Sequence, residues 1–104
     1  MRQFDVVANT NPDTCQHIPY LLVLQADLLD GLATRVVAPL IPLEQHGPVL
    51  DKLNPAISVG GRPFVVSVTE LAGVPVQVLG ERVASVVDSR IEIIDALDFL
   101  ITGS

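Results

Sequence analysis

An alternation of apolar and polar residues runs through the first three quarters of this chain and gives way near residue 82 to a helical repeat. That change of period narrows the fold more than any other feature. Gln3–Ala8 puts Phe4, Val6 and Ala8 on one face, the pattern of a half-buried strand. The turn formers Asn9-Thr10-Asn11-Pro12-Asp13-Thr14 break it, so Asn9–His17 reads as a loop. Pro19–Ala26 is a nearly continuous apolar run, as expected of a central strand. Arg35–Ile41 is another, but Pro39 and Pro42 remove backbone donors, which predicts an edge strand or a bulge. Ala56–Val59 and Arg62–Val68 flank Gly60-Gly61, a pair that tolerates positive φ at both positions of a two-residue hairpin. Val74–Leu79 reads as a last short strand closed by Gly80. Many short strands at this spacing predict a small barrel or sandwich.

The closing segment is different. Ile91, Ile94, Leu97 and Ile101 recur at helical spacing, with Ile93 and Leu100 widening the stripe. Ser89-Arg90-Ile91-Glu92 fits a capping box, and Gly103 is placed to stop the helix. The expectation is one C-terminal amphipathic helix of about three turns. Its other face carries Glu92, Asp95 and Asp98. Without a converging histidine or partner carboxylate, that row reads as a solvated face rather than a metal or acid/base site. Asp98, near the helix C-terminus, opposes the dipole at a cost of about 0.3–1 kcal/mol.

A chain of 104 residues is a single domain spanning 1–104. Twelve acidic against six basic residues leave a net charge of −6, which argues against direct binding to nucleic acid or an anionic membrane. The hydrophobic fraction of 49% and mean hydropathy of +0.50 are high for so short a chain. The longest apolar stretches, Tyr20–Leu24 and Val36–Leu43, fall short of the roughly 20 residues of a membrane span. A second copy is the simplest cover for the surplus, so a homodimer is expected. The first residues show no apolar signal region, which points to the cytoplasm.

Chemistry is harder to find. Cys15 has no disulfide partner and sits in the loop, where ordinary packing is the plainer reading than a thiol nucleophile. His17 and His46 fall in loops without metal-ligand spacing. No phosphate-cradling glycine loop or serine elbow is present. Arg35, Arg62 and Arg90 are each able to hold an anion, although arginines in a barrel usually pair with carboxylates. Pattern alone therefore yields a mainly β small barrel with a C-terminal helix, and neither catalytic residues, cofactor nor metal.

The wording of the chain adds more. Tyr20-Leu-Leu-Val-Leu-Gln25-Ala26-Asp27-Leu28-Leu29-Asp30, then Thr34-Arg35-Val36-Val37-Ala38-Pro39-Leu40, resembles the CcdB family of bacterial toxins. The resemblance continues through Leu53-Asn54-Pro55, Val59-Gly60, Thr69, Leu71-Ala72-Gly73-Val74-Pro75 and Leu79-Gly80. It closes with Arg90, Ala96-Leu97-Asp98-Phe99-Leu100 and Gly103, covering the chain from Gln3. It implies a cytoplasmic homodimer with the small, partly open barrel shared by PemK and MazF toxins. It also implies a toxin that catalyses nothing, uses no cofactor and poisons DNA gyrase by trapping the A subunits on cleaved DNA. A CcdA-like antitoxin would neutralise it and would carry the DNA contact.

By position, the implied gyrase-binding residues are Leu28 and Leu29, and then Asp98, Ile101, Thr102, Gly103 and Ser104. Core packing is the plainer reading of the two leucines, and a fraying end that of the last residues. The best-known members end in Trp-Gly-Ile, whereas this chain ends Thr102-Gly103-Ser104 and has no Trp. A tryptophan over a guanidinium contributes ~1–2 kcal/mol that threonine does not supply. Two other readings follow: an endoribonuclease of the PemK/MazF kind, with Arg35 and Thr34 as its adjacent pair, or a degenerate toxin that only binds antitoxin and tunes operon repression.

Overall fold

The computed structural model describes residues 1–50 and 52–103. Seven strands and one helix follow in order: β1 (Asp5–Asn9), β2 (Tyr20–Val23), β3 (Thr34–Pro42), β4 (Ala56–Val59), β5 (Arg62–Val66), β6 (Ala72–Pro75), β7 (Leu79–Ser85) and α1 (Arg90–Thr102). All strand pairs are antiparallel, in the order β4-β5-β3-β2-β1-β7, with β6 also on β3. The result is a curled, partly open barrel closed on one side by the helix. Mainly β with one C-terminal helix is the class the periodicity predicts.

Adjacent residues of the central strands are buried on opposite faces. Val6 and Leu22 join the main core with Leu40, Phe64 and Val66, while Val7, Leu21, Val23 and Val37 form a second, smaller cluster on the other face. Burial on both faces is why β2 reads as a continuous apolar run rather than an alternating one. Phe4 enters the main core through a backbone turned to φ 67°. That conformation is costly for a bulky residue, and the chain holds it from both sides. The Phe4 N–H donates to the Val23 carbonyl at 2.7 Å, and the Phe4 carbonyl accepts from Val86 N–H at 2.9 Å. The strand therefore starts at Asp5 rather than Gln3, and it keeps Asn9, which the sequence assigns to the loop.

Four expectations need correction. β3 is a central strand, not an edge, despite its prolines: β2 covers one side along Val37–Leu40, and the other side is shared. There β6 pairs with Thr34–Val37 and β5 with Leu40–Pro42. Pro39 falls in the gap between those two partners, where its carbonyl accepts from Ser67 N–H at 3.0 Å. The N and C=O of a strand residue face the same side, so the missing donor of Pro39 faces that gap too.

Gly80 does not close a strand either. The segment Val74–Leu79 is split, β6 ending at Pro75, and β7 begins at Leu79 and runs through Gly80. A Cβ on Gly80 would stand 2.9 Å from Thr10 Cγ2 and 3.1 Å from the Ala8 carbonyl oxygen, so glycine permits a close strand approach here. The Gly60-Gly61 turn is as predicted, with φ of 59° and 81°.

The capping box does not form. A 3-10 turn at Val87–Ser89 runs directly into α1, the Arg90 N–H donates to Val87, and the Ser89 hydroxyl makes no cap bond. Gly103 does end the helix, with φ 74° and its N–H on the Phe99 carbonyl. The face that α1 buries also differs from the predicted stripe. Ile93 and Ala96 are fully buried and Leu97 and Leu100 pack against the core, whereas Ile91, Ile94 and Ile101 are exposed.

Candidate partner-binding surface

The loop after β2 is held together by polar side chains placed where apolar ones would be usual. Gln25 is buried, and its amide stands in for strand bonds. Nε2 donates to the carbonyls of Leu29 at 2.9 Å and Thr34 at 3.3 Å, and Oε1 accepts from Val36 N–H at 3.0 Å. From the far side of the loop, the Arg35 guanidinium donates to the carbonyls of Asp30, Leu32 and Thr34. Asp27 ties the loop to the chain start: its carboxylate accepts from Gln3 N–H at 2.8 Å and pairs with Arg2 at 2.9 Å.

With its backbone satisfied from within, the loop turns its leucines outward. Leu28 is 95% exposed, Leu29 50% and Leu32 53%. Core packing is thus excluded for Leu28 and Leu29, and Leu32 joins them as a member that the sequence reading did not single out. Its signal was present: a polar Gln25 at the end of an apolar run, followed by a leucine-rich turn. Three exposed leucines on a braced loop make a preformed apolar contact surface.

The second predicted group lies at the end of α1. Ile101 is 76% exposed, and Asp98, Thr102 and Gly103 are exposed as well. The Thr102 hydroxyl turns back to donate to the Asp98 carbonyl one turn earlier at 2.7 Å, and the Asp98 side chain is exposed. Ser104 lies outside the described residues. The two groups are set apart: Asp27 and Arg90 line one cavity at the start of α1, and Thr102 is about 18 Å further along the helix axis at ~1.5 Å per residue.

The acidic row is solvent-exposed, as expected, and it borders a groove. Glu92, Asp95 and Asp98 line one side of a groove of about 700 Å³, with Phe99 and Lys52. Lys52 Nζ stands 6.0 Å from the Phe99 ring centre. Among the described residues no group of three His, Cys, Asp or Glu side chains is arranged to hold a metal ion. His17 is exposed, and His46 Nδ1 lies 3.0 Å from the Gly47 carbonyl oxygen. Of the three arginines able to take an anion, Arg35 is spent on the loop and Arg62 pairs with Glu44 at 2.7 Å. Arg90 has no partner among the described residues. No described helix is long and apolar enough to cross a membrane.

A family model described as CcdB protein matches residues 3–103. The chain belongs to the CcdB family. It is accordingly a toxin of the toxin–antitoxin kind, and the family brings an antitoxin as its partner. Among solved structures it is similar to the Mycobacterium tuberculosis toxin MazF-mt6, with a TM-score of 0.64 and 17% identity over 90% of this chain and 92% of that one. At that identity the likeness shows the fold, and it places this CcdB-family barrel beside a MazF toxin as the resemblance implied.

Proposed function

We propose that this CcdB-family chain binds the A subunit of DNA gyrase and traps the enzyme on cleaved DNA, acting in the cytoplasm until a CcdA-like antitoxin neutralises it. The observation that carries the reading is the braced loop with Leu28 and Leu29 facing out at the position the family resemblance assigns to gyrase, and Leu32 exposed on the same loop. Exposed leucines that contribute nothing to the core fit a protein partner. Ile101 and Asp98 supply a second contact, and Ile101 carries more of it than usual because Thr102 stands where the family's tryptophan is found. The toxin acts as a homodimer, with the exposed Ile91 and Ile94 of α1 available to a second copy, away from the Ile101 contact. In this reading the protein inhibits an enzyme and is not one.

The fold likeness to MazF-mt6 keeps an endoribonuclease reading as the alternative. It is weakened by Arg35, whose guanidinium is taken up by carbonyls of its own loop, and by the net charge of −6. One experiment separates these readings. Purified protein is added to gyrase, supercoiled plasmid and ATP, and linear DNA is scored after denaturation. Wild type is run beside Leu28→Asp, Leu29→Asp and a chain ending at Ile101. Linear DNA from wild type and none from the folded leucine variants is the expected result. No linear DNA from any of them rejects gyrase poisoning. Cleavage of single-stranded RNA that is lost on Arg35→Ala would then support the alternative, and binding of antitoxin alone the degenerate toxin.

A further inference from the structure

Three of the chain's six Lys and Arg residues line one cavity of about 640 Å³ between the chain start, β7 and the first turn of α1. They are Arg2, Arg82 and Arg90, from three separate segments. Two carboxylates accompany them. Asp5 is only 4% exposed, and it accepts from Arg82 Nε at 3.0 Å and from Arg2 N–H at 2.8 Å. Asp27 holds Arg2 Nη2 at 2.9 Å. Each of these guanidiniums thus commits one nitrogen to a carboxylate and keeps its remaining N–H donors. Arg90, with no partner among the described residues, keeps all five of its own. The ionised side chains of the lining sum to +1, three arginines less two aspartates, on a molecule whose net charge is −6.

We propose that this cavity is a binding site for a phosphoryl group carried by a small molecule. A buried carboxylate is an expensive thing to keep, and here it orients Arg82 at the wall of an open cavity instead of neutralising it inside the core. Guanidinium forks match tetrahedral oxyanions, one pair of N–H donors to one pair of oxygens. A phosphate monoester offers three terminal oxygens to the three arginines of the lining, where a carboxylate offers two. A small ligand is favoured over a nucleic-acid backbone because the positive patch is local and the rest of the molecule repels a polyanion. The inference rests on no part of the gyrase reading.

The test is an amide-resolved NMR titration of the full chain at fixed pH and ionic strength, with inorganic phosphate, pyrophosphate and a short DNA duplex in separate arms. Saturable shifts confined to the segments around Arg2–Asp5, Arg82–Val87 and Arg90 are expected for phosphate or pyrophosphate. Arg90→Gln is expected to weaken binding by about tenfold or more. Arg90→Lys should keep part of it, and Arg62→Gln, outside the cavity, should change nothing. The amide spectrum itself reports whether each variant is folded. Shifts that do not saturate, shifts spread over the surface, equal binding by Arg90→Gln, or binding of the duplex alone would each overturn the proposal.

Discussion

The side-chain amide of Gln25 donates to the carbonyl of Leu29 at 2.9 Å, so the residue that holds the loop and the residue that the loop displays are joined by one bond. Their roles separate on mutation. Gln25→Ala removes three hydrogen bonds from a buried amide and leaves the Val36 N–H unsatisfied, and should destabilise the fold by about 2–3 kcal/mol. Leu28→Ala should leave stability within about 0.5 kcal/mol, because the side chain is 95% exposed. Urea unfolding of both variants checks the pair. A large loss for Leu28→Ala would mean that the leucine packs in solution.

Helix α1 allows a similar contrast between two isoleucines two positions apart. Ile93 is fully buried, so Ile93→Ala should cost about 2–4 kcal/mol by transfer and cavity terms. Ile91 is 66% exposed, and Ile91→Ala should cost little as measured on the monomer. Thermal melts at several protein concentrations measure both. A loss for Ile91→Ala that grows with concentration would report a second copy seated on that flank.

Glycines divide by cause. Gly80→Ala drives a Cβ to within 2.9–3.1 Å of Thr10 and Ala8 and should cost about 1–3 kcal/mol through forced separation of strands. Gly61→Ala meets open space, so only the φ of 81° opposes it, at about 1 kcal/mol. The ordering of the two in denaturant midpoint is the measurement.

At the hairpin tip, the hydrogen bond from Arg62 holds the Glu44 carboxyl below the usual glutamate range, helped by a bond from its own backbone. A carboxyl lowered in the folded state adds stability above its unfolded pKa, and that contribution fades as pH falls through the lowered value. Glu44 is exposed, so solvent screens the pair and the melting temperature should hardly move. The sensitive readout is an NMR titration of Glu44, whose midpoint should rise toward the ordinary value in Arg62→Gln.

Where the sequence could be read, local rules and tertiary packing agreed. Gly60-Gly61 demands positive φ, the run after Tyr20 demands double burial, and Gly103 demands a left-handed cap; each is seen. The misreadings share one origin. Pro39, Gly80 and Ser89 follow local rules that a neighbour overrides: a gap between two partner strands, a close approach at Thr10, and a 3-10 turn that already serves the Arg90 amide. The helix face was ambiguous because Ile and Leu occur on two sides of it. Small Ala96, fully buried with Ile93 in the main core, decides between them, and a hydrophobicity pattern gives alanine too little weight. Leu28 and Leu29 were placed by resemblance alone. Their exposure follows from Gln25 and Arg35, whose inward bonds no periodicity reveals.

Because Gln25, Arg35 and Asp27 fix the shape of the loop, Leu28, Leu29 and Leu32 are released from any duty to the fold. Drift at those three positions is then nearly free of folding consequences. A lineage can alter what the loop grips, or how hard, by changing residues that selection for foldability does not see.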